Sequence, residues 1–127
     1  MTKLIVTEEH ATKELRKFFT LLKVEGVDLK MPNTYMDEVW HHMLEDDKEY
    51  KEFCLETAGA YIEHVPNKAK FPEELAWVKL YENKFGKLDI SWFVTGEGNF
   101  QEKEYEEYIK TGVLKMSWDC SAIIEDM

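Results

Sequence analysis

Three of the four histidines and one of the two cysteines fall within about thirty residues, as Asp37-Glu38-Val39-Trp40-His41-His42, then Tyr50 and Phe53-Cys54, then His64-Val65-Pro66. Imidazole nitrogen and thiolate sulfur are donors that hold zinc or iron. The spacing supports part of such a site. Asp37 and His41 are four residues apart and share one flank of a helix. A helical hairpin turning near Asp46 would bring His41 toward Cys54 on the next helix. Asp37 could then orient the His41 ring by accepting its other N–H. His64 fits less easily. In an unbroken helix, ten residues separate it from Cys54 by about 15 Å of rise. The two can share an ion only if that helix breaks, for example at Gly59, and His64 could otherwise meet His41 or Cys120 through tertiary folding. The metal candidates are thus His41, Cys54 and His64, with Asp37 and Trp40 completing the candidate site.

Each of these residues also has a plainer role. Cys54 on an apolar face reads as a small inert core residue. His41 reads as a boundary histidine held by Asp37, and His64 as a partner of the last carbonyls of a helix. A Cys-His nucleophile pair is disfavoured, because a thiol in mid-helix on a buried face lacks exposure and an oxyanion site. The chain carries no GxGxxG, Walker, GxSxG, HExxH or CxxC pattern, and thereby lacks the strongest nucleotide, hydrolase and zinc signatures.

The elements that must position these residues are mostly helical. Thr7 with Glu8 and Glu9 is a helix start. Ala11, Leu15, Phe18, Phe19 and Leu22 follow at helical spacing, with Gly26 as the stop. Thr34 is the expected cap of a second helix whose buried stripe is Met36, Val39, Trp40 and Met43. The Glu45-Asp46-Asp47 cluster opens a third, expected to run to Pro66. Pro72-Glu73-Glu74 reads as the start of a fourth, ending at Gly86. The stretch from Leu88 to Thr95 reads as a strand or extended segment, and Val113 to Trp118 as its partner. Gly96 to Asn99 is a turn, a short acidic helix runs from Gln101 to Lys110, and the tail from Ile124 is expected to fray. The fold class expected is mainly α: a single-domain bundle over residues 1–127, with four to five helices and a short C-terminal β-hairpin.

Composition narrows the function classes. With 44% hydrophobic and 13% aromatic residues, the chain can build a core and is not a disordered type. The longest apolar runs are a few residues, too short to span a bilayer. No secretory signal is evident, so the expected location is cytoplasmic and the expected state of Cys54 and Cys120 is reduced. A formal net charge of −10 repels phosphate backbones and argues against direct nucleic-acid binding.

The segments Asp37-Glu38-Val39-Trp40-His41, Tyr50-Lys51-Glu52-Phe53-Cys54 and His64-Val65-Pro66 resemble the glycine-rich domain-containing protein-like family, and Trp118-Asp119-Cys120 resembles the ending of its short bacterial members. The glycine-rich segment of larger members is missing here. The resemblance implies no particular reaction, and it draws the eye to Trp40, His41, Cys54 and His64. Three readings follow. The leading one is a non-enzymatic protein-interaction or accessory module with an unidentified protein partner. The second is a zinc- or iron-binding domain using His41, Cys54 and His64, with or without catalysis. The third is an acidic inhibitor or immunity-type protein.

Overall fold

The structure is a computed structural model that describes residues 3–24, 27, 29–66, 73–117 and 120–124. Helix α1 spans Glu8–Thr20, and the Thr7 side chain accepts the His10 N–H at its start. It buries Ala11, Leu15, Phe18 and Phe19 and passes into a 3-10 turn, Leu21–Lys23. Gly26, the expected stop, lies outside the described residues. The connection that follows holds a short strand, β1 (Leu29–Met31), that hydropathy alone does not reveal.

Helix α2 spans Thr34–Leu44. Its cap is Asn33, one residue before the expected Thr34. The buried Asn33 amide accepts from Met36 N–H at 2.9 Å and donates to the Trp92 carbonyl at 2.6 Å, tying the helix start to a distant part of the core. Thr34 is left to accept from Gly96 N–H.

Helix α3 spans Asp47–Thr57, and within the expected Glu45-Asp46-Asp47 cluster the cap is Asp46. It does not continue to Pro66. The Cys54 carbonyl accepts both Ala58 and Gly59 N–H groups, and Gly59 takes a φ of +78°, where glycine has no Cβ penalty. The chain then reverses into strand β2, Ile62–Pro66. His64 is therefore a strand residue.

Two expected elements differ beyond this point. Glu73–Glu74 is strand β3 rather than a helix start, and helix α4 begins later, at Trp77–Phe85; Pro72 lies outside the described residues. The stretch expected as a strand is instead a 3-10 turn, Ile90–Phe93, capped by Asp89. Its buried Ser91, Trp92 and Phe93 leave no alternating face to pair. Helix α5 spans Glu102–Thr111 and closes on Gly112 at φ +76°. Strand β4, Lys115–Met116, pairs with β3 and not with the residues near 90; Trp118 is not described.

Strand β5, Cys120–Ile124, is the centre of a three-stranded antiparallel sheet in the order β1-β5-β2. Ile124, expected to fray, is paired with Ile62; residues 125–127 lie outside the described set. The molecule is thus mainly α, with two small antiparallel sheets in which the C-terminal strands β4 and β5 pair with strands from earlier in the chain. One hydrophobic cluster joins the helices to the sheet, with Trp40, Trp77 and Trp92 all fully buried.

Candidate metal centre

Sheet register and helix pitch together build the site. His64 lies opposite Ala122, and Pro66 opposite Cys120. His64 and Cys120 are therefore diagonal neighbours on one sheet face, within reach of each other's side chains. Asp37 stands in the first turn of α2, and His41 is one turn further on, so both address the same neighbours.

Asp37 is the hub. Its Oδ1 lies 2.9 Å from His64 Nε2 and accepts from Cys120 Sγ–H at 3.1 Å. Its Oδ2 lies 3.5 Å from His41 Nε2. The His41 and His64 rings meet edge to face, with centroids 4.3 Å apart. The ligand atoms of Asp37, His64 and Cys120 all fall within 4.8 Å of one another. The cluster runs from surface to interior: the His41 side chain is 56% exposed, Asp37 27% and His64 16%, while Cys120 is buried.

A floor of hydrogen bonds holds the cluster in place. The Trp40 ring packs against His64 at 4.4 Å between centroids. Trp40 Nε1–H donates to the Tyr50 hydroxyl at 3.1 Å, and that hydroxyl donates to the Ile62 carbonyl at 2.6 Å. The chain of bonds runs from α2 through α3 to β2, fixing the strand that carries His64 against the helix that carries Asp37. Burial pushes the Tyr50 hydroxyl well above its ordinary pKa, so it serves as a donor throughout the neutral range.

Cys54 does not join this group. It is fully buried in α3, where Ile62 N–H donates to its Sγ at 3.4 Å. Burial pushes its thiol up, partly offset by the Ile62 and Tyr50 hydrogen bonds, and leaves it unreactive. The expected trio of His41, Cys54 and His64 is thus not what converges. His41 and His64 do meet, Asp37 links them, and the cysteine beside them is Cys120. The break at Gly59 turns the chain so that Cys54 lines the core and His64 the site. One sequence signal pointed this way: Gly59, a residue at which the helix carrying Cys54 can break before it reaches His64. His42 is exposed and pairs with Glu8 at 2.6 Å; its hydrogen bond to Glu8 raises its pKa.

The converging donor set of one thiol, one imidazole and one carboxylate suits a borderline-soft divalent ion, and His41 adjoins it from the Oδ2 side of Asp37. Donors around a tetrahedral zinc lie about 3.3–3.6 Å apart, given bonds of about 2.0–2.3 Å. The pairs at 2.9 and 3.1 Å would open by about half an ångström to reach that geometry. An ion there would need a deprotonated Cys120 Sγ and the lone pair of His64 Nε2, in place of their contacts with Asp37 Oδ1.

One other group of three ligand-type side chains lies within 4.8 Å among the described residues, His10, Glu14 and Asp89. Here Glu14 is buried, and its oxygens accept from Tyr81 OH at 2.5 Å, Trp92 Nε1–H at 3.1 Å and Lys17 Nζ at 3.0 Å.

These features define a mainly α domain with a small sheet and an Asp-His-Cys cluster between the sheet and a helix. Residues 5–75, more than half of the chain, match the model of the UCP032817-like family, and the chain belongs to that family. The matched stretch contains Asp37, His41 and His64, while Cys120 lies beyond it. No curated protein and no solved structure gives a significant match.

Proposed function

We propose that this chain is a metal-binding accessory domain that holds one transition-metal ion, zinc foremost, through Asp37, His64 and Cys120, with His41 as the fourth donor. The reading is carried by one observation: three residue types with metal-ligand chemistry, drawn from α2, β2 and β5, place their donor atoms within 4.8 Å of one another. The hydrogen-bonded floor Trp40–Tyr50–Ile62 supports the reading, because it fixes the helix and the strand that carry Asp37 and His64. An ion there would staple the C-terminal strand to the second helix. That is a structural service, and it accords with a module that presents a surface to a protein partner.

The kinship with glycine-rich domain-containing proteins, drawn from the Trp40-His41, Phe53-Cys54 and His64-Val65-Pro66 segments, belongs to the same proposal. So does a cytoplasmic location, where thiols stay reduced and able to bind metal. The inhibitor reading draws less support, because exposed carboxylates are spread over α1, α2, α3, β2, β3 and α5.

The test is elemental analysis of protein purified without chelator, followed by cobalt substitution. The expected result is one zinc or iron per chain and a thiolate-to-cobalt charge-transfer band. Both should vanish in Cys120→Ala and persist in Cys54→Ala. Metal content near zero in the wild type, with no uptake on adding zinc, would end the proposal.

A further inference from the structure

The four side chains of the metal centre are not held alike. Cys120 is buried in β5, the central strand of its sheet. His64 stands on β2 with its ring against Trp40, and Asp37 belongs to the first turn of α2, whose start Asn33 caps. The donor atoms of these three fall within 4.8 Å of one another, and His41 is not in that set. Its Nε2 lies 3.5 Å from the other Asp37 oxygen, Oδ2, and its side chain is 56% exposed against 16% for His64. Its ring meets the edge of the His64 ring from the solvent side of the cluster.

Three donors fixed from the interior leave a four-coordinate ion one vertex, on the side where exposure is greatest. That is where His41 stands. Swinging it out gives up the edge contact with the His64 ring and moves an already exposed side chain into water. Charge decides what can replace it. A divalent ion bound by the Cys120 thiolate and the Asp37 carboxylate has no net charge left to draw an anion. Glu38 and Glu45, three residues before His41 and four after it on or beside α2, are both exposed and flank it. With a chain charge of −10 behind them, they repel anions from this vertex. A neutral nitrogen donor meets neither obstacle, and imidazole is the side-chain donor of that kind matched to zinc and its neighbours.

We infer, resting on the metal reading above, that the fourth coordination position is exchangeable: His41 is its resting occupant, and its ligand is a neutral imidazole donor from outside the chain, the side chain of a partner protein's histidine. The incoming imidazole binds the ion directly, while Asp37, His64 and Cys120 keep their hold on it. His41 acts as an internal competitor, so the outside donor binds with an affinity lowered by the fraction of time that His41 is in place.

The experiment is titration of the cobalt-loaded full chain with 1-methylimidazole, azide and acetate, followed by visible absorption. 1-Methylimidazole should shift the ligand-field bands saturably while the thiolate-to-cobalt band stays, and azide and acetate should bind about tenfold more weakly or worse. A Gly-His-Gly peptide blocked at both ends should act as 1-methylimidazole does, and its Gly-Ala-Gly counterpart should not. His41→Ala, with the internal competitor gone, should bind 1-methylimidazole about tenfold more tightly, whereas His42→Ala should bind it as the wild type does. A cobalt protein without a thiolate band would overturn the metal reading and this inference together. A wild-type thiolate band with ligand-field bands that 1-methylimidazole leaves unmoved, in the wild type and in His41→Ala alike, would overturn the inference alone. So would azide binding as tightly as the imidazole, an inert histidine peptide, or a His41→Ala chain that no longer holds cobalt.

Discussion

Among the described residues, two places bring three ligand-type side chains within 4.8 Å, and they are built in opposite ways. At Asp37, His64 and Cys120 the carboxylate faces an imidazole and a thiol, both of which can give up a proton to a metal. At His10, Glu14 and Asp89 the buried carboxylate already accepts from three donors set by α1, α4 and the 3-10 turn. Burial, and then the hydrogen bond to Glu14, push the Tyr81 hydroxyl far above its ordinary pKa, so it keeps its proton. A metal would have to break these fixed bonds first. Closeness of donors therefore does not make a metal site; what matters is whether the lone pairs are already occupied by donors that cannot leave.

The sharpest test of that contrast is removal of Glu14. Glu14→Ala would strand a buried phenol and an indole N–H and leave Lys17 without its partner. It should cost about 3 kcal/mol in urea unfolding, and the deficit relative to wild type should be the same with and without zinc. Lys17 is partly exposed and adds little to that figure. A variant as stable as the wild type would show that Glu14 is not the structural anchor described here.

Zinc should have the opposite signature. At a hundred times its dissociation constant it should add about 2.7 kcal/mol to wild-type stability. The gain should disappear in Asp37→Ala and Cys120→Ala. Cys54→Ala should lose about 1–2 kcal/mol through core packing yet keep the whole zinc increment. The increment should also fade as pH drops from about 8 to 5, because protons compete for imidazole and thiolate. A zinc gain that survives Cys120→Ala would move the site elsewhere.

How much of this was legible in the sequence follows from the range of the interactions. The cap at Thr7, a cap within Glu45-Asp46-Asp47 and the stripes of α1 and α2 are decided within one helical turn, and they read correctly. The end of α3 did not, because Gly59 and the docking of Ile62 on Cys54 overrule a helical run. That one break converts His64 from a helix residue to a strand residue. Asp37, Trp40, His41 and His64 stood out by type and spacing alone. Cys120 did not, because its place beside Asp37 depends on the β2–β5 register across more than fifty residues. Likewise the pairing of β4 with β3 is a long-range choice that the alternation of Val113 to Trp118 could not specify.

Within the metal cluster a smaller effect is expected from His41. It is the most exposed member and sits 3.5 Å from Asp37 rather than in direct hydrogen-bond contact. His41→Ala should therefore weaken zinc by about tenfold rather than abolish it. Cobalt spectra would then show whether a solvent oxygen replaces the imidazole while the thiolate band remains. Loss of all metal in this variant would make His41 an essential donor and the cluster a closed four-ligand site.

The mildest expected effect distinguishes the second cluster by acid. Asp89 has a folded-state pKa below its ordinary value, despite its burial, through hydrogen bonds from Ser91 and His10. Such a group stabilises the fold at pH values above the ordinary carboxylate range, and the contribution is lost as pH falls through the lowered native value. With its side chain 30% exposed, the effect should stay below about 1 kcal/mol. Asp89→Asn should flatten this acid limb of the melting-temperature profile and leave the neutral region nearly unchanged, since asparagine also caps the turn. If instead the variant loses stability equally at all pH values, the Asp89 charge contributes nothing and its role is purely that of a cap. In that case the two clusters would differ in donor availability alone, and not also in whether a carboxylate charge is put to use.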